Sequence, residues 1–450
     1  MEVLHVWGPE GPEDPRPAGA ALLLRHLINS LRGEKAGTRC AQPLTAQLLR
    51  SITEKDEKVY AIFDKSITAS SNVTLAYSGG KDSTVLSVLL YRWVKERGIT
   101  GLNLTLLHND TLSEIDLMEK WARKFMQDFK AKMAELGNKV TVKVVTPPSI
   151  DTFYWRALVR GYPAPSRNFR WCVKLLKMQP TKKGIANLDT NLMMTGLREF
   201  ESKERLKLVR QRYGSCPLGP SKCLAYYFLA HDDGTNHKIV PIRDWSNADV
   251  WEVLRTTEEF DIADLLYLYG CDEARYGCWH CTLARVQWGL HALEKEYLYY
   301  DALRLLYRRI SDDHALRMRK KGGYSKLGAL NAAGRSMLLH LISITEKKSK
   351  IRIYGLDEAK VNGVSLRKLL FELDGRKARK AIRLADPELN PKRYVSIADV
   401  RKIHRYKTRV SLAIKRIEKV TMGDKTRTLA LEKGFDPTKE LLDALAIQVS

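Results

Sequence analysis

The stretch VTLAYSGGKDSTVLSVLLYRW, Val73 to Trp93, limits what this chain can fold into more than any other. An apolar, β-prone run ends in a Ser-Gly-Gly turn carrying one lysine and one aspartate, and an apolar pattern at helical spacing follows at once. Gly79 and Gly80 can take backbone angles that turn consecutive N–H groups toward an anion. The helix N-terminus adds its dipole at the same point. Strand, turn and helix together predict a phosphate-binding loop over Ser78–Ser83, to which Ser78, Lys81 and Ser83 add hydroxyls and a charge. The G-x-x-x-x-G-K-[ST] spacing of a Walker loop is absent.

Other strand-like runs alternate with helical stretches. Leu102–Asn109 precedes a long amphipathic segment ending near Gly137, and Lys139–Val145, Asn191–Gly196 and His237–Ile242 follow. Short β-branched runs separated by helices predict an α/β fold with a Rossmann-like parallel sheet covered on both faces. Ligands of such sheets lie at the carboxyl ends of the strands. The glycine turn, His108–Asp110 and Gly196–Arg198 all fall at such ends and are expected to converge.

LAYSGGKDST resembles the PP-loop of the ATP pyrophosphatases, which split ATP between its α and β phosphates. Tyr154–Pro180, TGLREFESKER (Thr195–Arg205) and PIRDWSNADVWEVL (Pro241–Leu254) are similar to phosphoadenosine phosphosulfate reductase-type proteins. GYPAPSRNFRWC and RYGCWHCT are closer to the DndC-like branch, linked to DNA phosphorothioation. The resemblance covers roughly residues 70 to 290. It implies the adenine nucleotide α-hydrolase (PP-loop) type of sheet, with ATP and Mg2+ as ligands. Ser78, Gly79, Gly80, Lys81, Asp82 and Ser83 would hold the β and γ phosphates, Lys81 neutralising them and Asp82 organising the loop or helping to hold Mg2+. Asp110 would lie near the ribose or metal. Gly196, Arg198, Glu201 and Arg205 would close over the nucleotide, and Arg170, Lys174 and Lys177 would add positive charge. Lys81, Asp82, Asp110 and Arg198 are the catalytic set so implied.

Cys271, Cys278 and Cys281 form a C-x6-C-x2-C pattern, and Cys172, Cys216 and Cys223 precede it. Grouped thiolates select zinc or an iron–sulfur cluster. Zinc sites with four thiolates usually pair two C-x2-C knuckles, and only one is present, so the spacing favours [4Fe–4S] over zinc, or over redox thiols without metal. The DndC-like resemblance implies the same cluster. The fourth ligand is expected from Cys223, then Cys216, then Cys172. Cys40 belongs to no motif, and His280 is expected to be exposed. No cysteine follows Cys281, which argues against the usual thiol route of sulfonucleotide reduction.

The net charge of +24 is uneven, since residues from 301 onward hold 35 Lys/Arg against 17 Asp/Glu. A basic, mostly helical C-terminal region of this kind suits a polyanion. The expected organisation is an N-terminal segment of unknown role (1–66), a PP-loop domain (67–262), a cysteine segment (263–300) and a basic region (301–450), with a joint at Gly322–Gly323. Nucleic acid is the expected partner, DNA ahead of tRNA, with a sulfur donor such as a cysteine desulfurase. The run Ala18–Gly33 reads as an amphipathic helix and not a signal peptide, because Arg25 and His26 interrupt it, and the protein is expected in the cytoplasm. The expected activity is ATP cleavage to AMP and pyrophosphate, activating a nucleic-acid position for sulfur insertion. The competing readings are a sulfonucleotide reductase and a non-catalytic nucleotide-sensing binder.

Overall fold

A computed structural model describes residues 46–68, 71–199, 227–228, 237–270, 276–319, 327–390 and 394–450, with only the backbone of 46–52, 227, 228 and 237. Ala18–Gly33, Cys40, Glu201, Arg205, Cys216, Cys223, Cys271 and Gly322–Gly323 lie outside these residues. Helix α1 (Ala46–Ser66) leads into β1 (Asn72–Tyr77) and α2 (Lys81–Arg97). β2 (Asn103–Asn109), α3 (Asp116–Glu135), β3 (Lys139–Val145), α4 (Gln179–Ala186) and β4 (Leu192–Thr195) follow. The sheet is completed by β5 (Tyr227–Phe228) and β6 (His237–Ile239), in the order β3-β2-β1-β4-β6-β5. Five of the six strands run parallel, and β5 pairs antiparallel with β6 at the edge.

Central β1 is buried on both faces, as a parallel strand between helical layers must be. On one side α3 lays Met118, Trp121, Ala122, Phe125, Phe129 and Met133 inward at i, i+3, i+4 spacing. Phe125 stacks on Tyr77 of β1 with ring centroids 5.2 Å apart. Each such ring taken out of water stabilises the layer by about 1.5–3 kcal/mol. Beside it α2, which shares Phe260 with α3 through Tyr91 and Phe125, is buried nearly all round, and α1 covers its outer face, Phe63 meeting Trp93 edge-on at 5.5 Å. Trp93 Nε1 donates to Asp64 at 2.8 Å, so the large ring is buried without orphaning its N–H.

The strand order reverses at β1, which has β2 on one side and β4 on the other. Such a reversal opens a crevice at the carboxyl ends of the two diverging strands. The Ser78 turn and Gly196 both sit there.

Beyond β6 come α5 (Asn247–Arg255), α6 (Ala263–Tyr269), α7 (Trp288–Ala292), α8 (Leu298–Asp312) and α9 (Ala332–Ser349). The remaining helices that matter here are α10 (Gly375–Ala385), α11 (Ile397–Val400), α12 (Lys407–Thr421), α13 (Lys425–Glu432) and α14 (Pro437–Val449). The last third is therefore helical, with short antiparallel strand pairs between helices. α8 is the helix the others gather round, with Tyr300, Leu303, Leu306, Tyr307 and Ile310 all fully buried. Residues 44–450 form one compact unit, in which a large apolar core runs from Val59 to Val449 and a small second cluster gathers Leu107, Ile185 and Met193. Among the described residues, no helix is long and apolar enough to cross a membrane.

Candidate functional site

The turn after β1 has the backbone its sequence requires. Gly79 lies at φ +76, and a Cβ there would stand 2.9 Å from Cβ of Ala122. A side chain at this position would both strain the turn and push α3 away. Gly80 is the N-cap of α2, with φ −83 and ψ 163. Ser78 Oγ meets Ser83 Oγ at 3.1 Å, and Ser83 Oγ donates to Gly80 O at 3.0 Å, closing the loop on itself. Trp121 Nε1 donates to Gly79 O at 2.9 Å, and Lys81 N donates to Tyr269 OH at 3.3 Å. Lys81 N is thus met by Tyr269, and the other first-turn N–H groups of α2 have no acceptor within the helix, which is what suits a helix N-terminus to an anion.

The segment after β4 braces that turn. Arg198, almost fully buried, donates from Nε to Asp82 Oδ1 at 2.8 Å, from Nη1 to Trp245 O at 3.1 Å and from Nη2 to Asn247 Oδ1 at 2.7 Å. Lys81 Nζ also donates to Asp82 Oδ1, at 3.0 Å. Two cations therefore share the Asp82 carboxylate. A Cβ on Gly196 would stand 2.9 Å from the Asp82 carbonyl atoms and 3.0 Å from Ser83 N. Only a residue without a side chain lets the end of β4 approach the first turn of α2 so closely.

Asp110 is buried at the end of β2 in a different network. Its Oδ1 accepts from Leu112 N at 2.8 Å, and its Oδ2 accepts from Arg123 Nη2 at 3.1 Å and Tyr354 OH at 2.5 Å. Burial and the charge of Glu119 push its carboxyl upward, against these donors. His108 bonds Tyr77 O at 3.0 Å and Glu119 Oε2 at 3.1 Å. Burial opposes charge on this ring, but Glu119 outweighs it and the pKa rises.

The thiols of Cys172, Cys278 and Cys281 come together beside Glu114 and Lys177. Cys278 is buried, with Sγ 3.5 Å from Thr111 Oγ1 and 3.6 Å from Glu114 Oε1. Burial works against its thiolate, yet Lys177 and the surrounding donors bring the thiol below its usual range. Cys172 is pushed up to about 11 by burial and by the other two sulfurs. Burial and Cys278 push Glu114 up to about 7, although Lys177 Nζ lies 3.6 Å away. The three sulfurs thus sense one another, while among the described residues no group of three His, Cys, Asp or Glu is close enough to hold a metal ion. Thiol donors suit a soft metal or cluster, and these three lie near one another with a lysine to offset thiolate charge, without forming a closed ligand set among the described residues. His280 is fully buried, contrary to the expectation of exposure, because its ring stacks on Phe153 at 4.0 Å. Burial holds it neutral, down to about 3.

Residues 72–284, which carry the sheet, the phosphate loop and these thiols, match the phosphoadenosine phosphosulfate reductase domain. The match covers a little under half of the chain. An uncharacterized protein of Methanocaldococcus jannaschii is 25% identical over 214 residues, 47% of this chain and 42% of that protein. Sulfate adenylyltransferase subunit 2 of Methylobacterium radiotolerans is 25% identical over 218 residues, 47% of this chain and 62% of that subunit. The chain thus spans less than two thirds of these curated relatives. The crystal structure of phosphoadenylyl-sulfate reductase from Candida auris superposes with a TM-score of 0.32 and 16% identity, over 54% of this chain and 99% of that one.

Within the reductase domain, Ser78–Ser83, Gly196 and Arg198 meet at one place, and Asp110 occupies a separate buried network. Arg170 and Lys174 are exposed, and Lys177 stands with the thiols. Several partners of the domain were not singled out in the sequence. Tyr269 and Trp121 hold the loop's backbone, Trp245 and Asn247 anchor Arg198, and Tyr354 reaches Asp110 from outside the domain. For Asn247 a signal existed: SNAD reads as a capping box, and Ser246 and Asp249 form one at the start of α5. Tyr354 had none.

Proposed function

We propose that this chain is a PP-loop ATP pyrophosphatase that adenylates a nucleic-acid position and so prepares it for sulfur. What carries the reading is the phosphate loop at the sheet's reversal point, with Lys81 buried beside it and Arg198 pinning Asp82. In this reading the loop holds the β and γ phosphates through backbone N–H groups, and the α phosphorus faces the open crevice. An oxygen of the substrate attacks it, a P–O bond forms, and the α–β bridging bond breaks to release pyrophosphate. Lys81 and the N-terminus of α2 offset the charge that builds on the leaving group. Sulfur at the oxidation level of sulfide then displaces AMP, with no net redox change. The similarity to a sulfate adenylyltransferase subunit supports adenylyl transfer as the reaction class.

Cys271, Cys278 and Cys281, with a fourth thiol from Cys223, Cys216 or Cys172, would hold an iron–sulfur cluster, which when bound supplies an iron site for a sulfur atom. Mg2+ would be held mainly by the nucleotide's phosphates, since Asp82 is already engaged by two cations. The test is product analysis of ATP with anaerobically purified protein and Mg2+, with and without duplex DNA or tRNA. AMP with pyrophosphate, stimulated by one polymer, is expected. ADP with phosphate, or no cleavage with either polymer, would overturn the reading.

A further inference from the structure

Helix α10, with the sequence GRKARKAIRLA, presents a strongly one-sided surface. It carries five cations and no acid, and only Ala378 and Ile382 are buried. Arg376, Arg379, Lys380 and Arg383 recur at i, i+3, i+4 and i+7, so they share one face. Together with Leu384 they line a depression of about 480 Å³. Among the described residues none of the four makes an ion pair, whereas nearby Arg367 is held by Glu346 and Asp357 and Arg405 by Asp399. Like charges at these spacings repel, and cations in the first turn oppose the helix dipole. The helix is kept in shape from outside. Asp374 caps its start, accepting from Arg376 N at 3.0 Å. At its end Asp386 accepts from Trp155 Nε1 at 2.9 Å and Arg160 Nε at 2.7 Å. The segment gripped by Asp386 runs on to Cys172, so the charged face is mounted on the chain that builds the thiol site.

We propose that this face of α10 docks the sugar–phosphate backbone of a nucleic-acid duplex, an inference that rests on the nucleic-acid reading above. Seven residues of helix extend about 10 Å, and one strand of a duplex advances 3.4 Å per phosphate, so the row faces about three phosphates. A single phosphate group would leave most of these cations unmatched. A membrane surface would call for an apolar face beside the charged one, and Leu384 alone provides it.

The test compares the whole protein with a variant carrying Arg376→Gln, Arg379→Gln, Lys380→Gln and Arg383→Gln. Binding of a labelled 20-base-pair DNA duplex is followed by anisotropy across a salt series. A control variant removes four exposed charges elsewhere, through Lys402→Gln, Arg409→Gln, Lys415→Gln and Lys419→Gln. The α10 variant should lose about tenfold or more in affinity, flatten the salt slope by about 3, and melt no lower than the parent. The control should lose clearly less. If the parent protein binds neither the duplex nor tRNA at low salt, the nucleic-acid reading fails and this inference with it. If the parent binds and the α10 variant matches it, or both variants lose equally, the inference alone fails. Loss of binding to phosphatidylserine vesicles with duplex binding intact would likewise overturn it and assign the face to a membrane.

Discussion

Arg198 Nε stands 2.8 Å from Asp82 Oδ1, so a residue that follows β4 completes the turn that follows β1. Both groups are largely buried, and removing one partner of such a pair costs about 3 kcal/mol. Arg198→Ala should lower ATP turnover by about 100-fold and reduce the melting temperature, and Arg198→Lys should recover part of the stability. Turnover equal to the parent's in Arg198→Ala would show that the brace is not needed.

Gly196 gives a test that leaves charge untouched. Gly196→Ala puts a methyl group 2.9 Å from the Asp82 carbonyl, and overpacking against backbone costs about 1–3 kcal/mol. ATP affinity measured by calorimetry should fall by about tenfold. Gly423→Ala, where nothing lies within 4 Å of an added Cβ, should be neutral.

Asp56 sets a pH dependence far from the crevice. Burial pushes its carboxyl up to about 7 from an ordinary value of 3.8, Arg92 pulling the other way and Glu96, Glu57 and Glu252 adding to the rise. The folded state therefore holds this proton more tightly than the unfolded chain does. The stabilisation is complete below pH 4 and is lost as pH rises through 7, by a few kcal/mol at about 1.4 kcal/mol per pH unit. Asp56→Asn should flatten the fall between pH 4 and 7 in denaturant titrations. An unchanged slope would place the Asp56 proton elsewhere.

Tyr354→Phe removes one hydroxyl from a buried carboxylate and leaves Asp110 with Arg123 and the Leu112 amide. A loss of about 1–3 kcal/mol is expected. In a double-mutant cycle with Asp110→Asn most of that loss should vanish, and strict additivity would mean the two side chains do not interact.

Cys172 and Cys278 can be separated from nucleotide binding. Cys172→Ser and Cys278→Ser should each lose most of the iron taken up on anaerobic reconstitution, while ATP affinity stays within about twofold. Full iron content in either variant would remove that residue from the ligand set.

The parallel sheet was legible because local pattern and burial agree. β1 reads as a buried strand and is one, and α3 shows its apolar face through Met118, Trp121, Phe125 and Phe129. The strand expected over His237–Ile242 stops at Ile239, and a turn begins at Pro241, which has no N–H for a ladder. The loop residues could be named because their neighbours in sequence do the work. Asp110's partner could not, since Tyr354 is 244 residues away. Lys177 was expected to add charge for a phosphate and Glu114 drew no notice, and only tertiary packing brings both to the sulfurs. Cys172, the last of the candidates for a fourth thiol, lies near Cys278 and Cys281, while Cys216 and Cys223 lie outside the described residues.

The Asp386 clamp has a consequence for how the chain is made. Its acceptor oxygen lies 231 residues after the Trp155 indole it receives. At about 5–20 residues per second of synthesis, the ribosome needs roughly 10–50 s to travel that distance. Throughout that interval Phe153, Tyr154 and Trp155, all fully buried in the finished fold, wait on the nascent chain without the covering they are destined for. The aromatic wall beside the thiols is thus finished after translation of the last third, and until then it is a natural client for a chaperone.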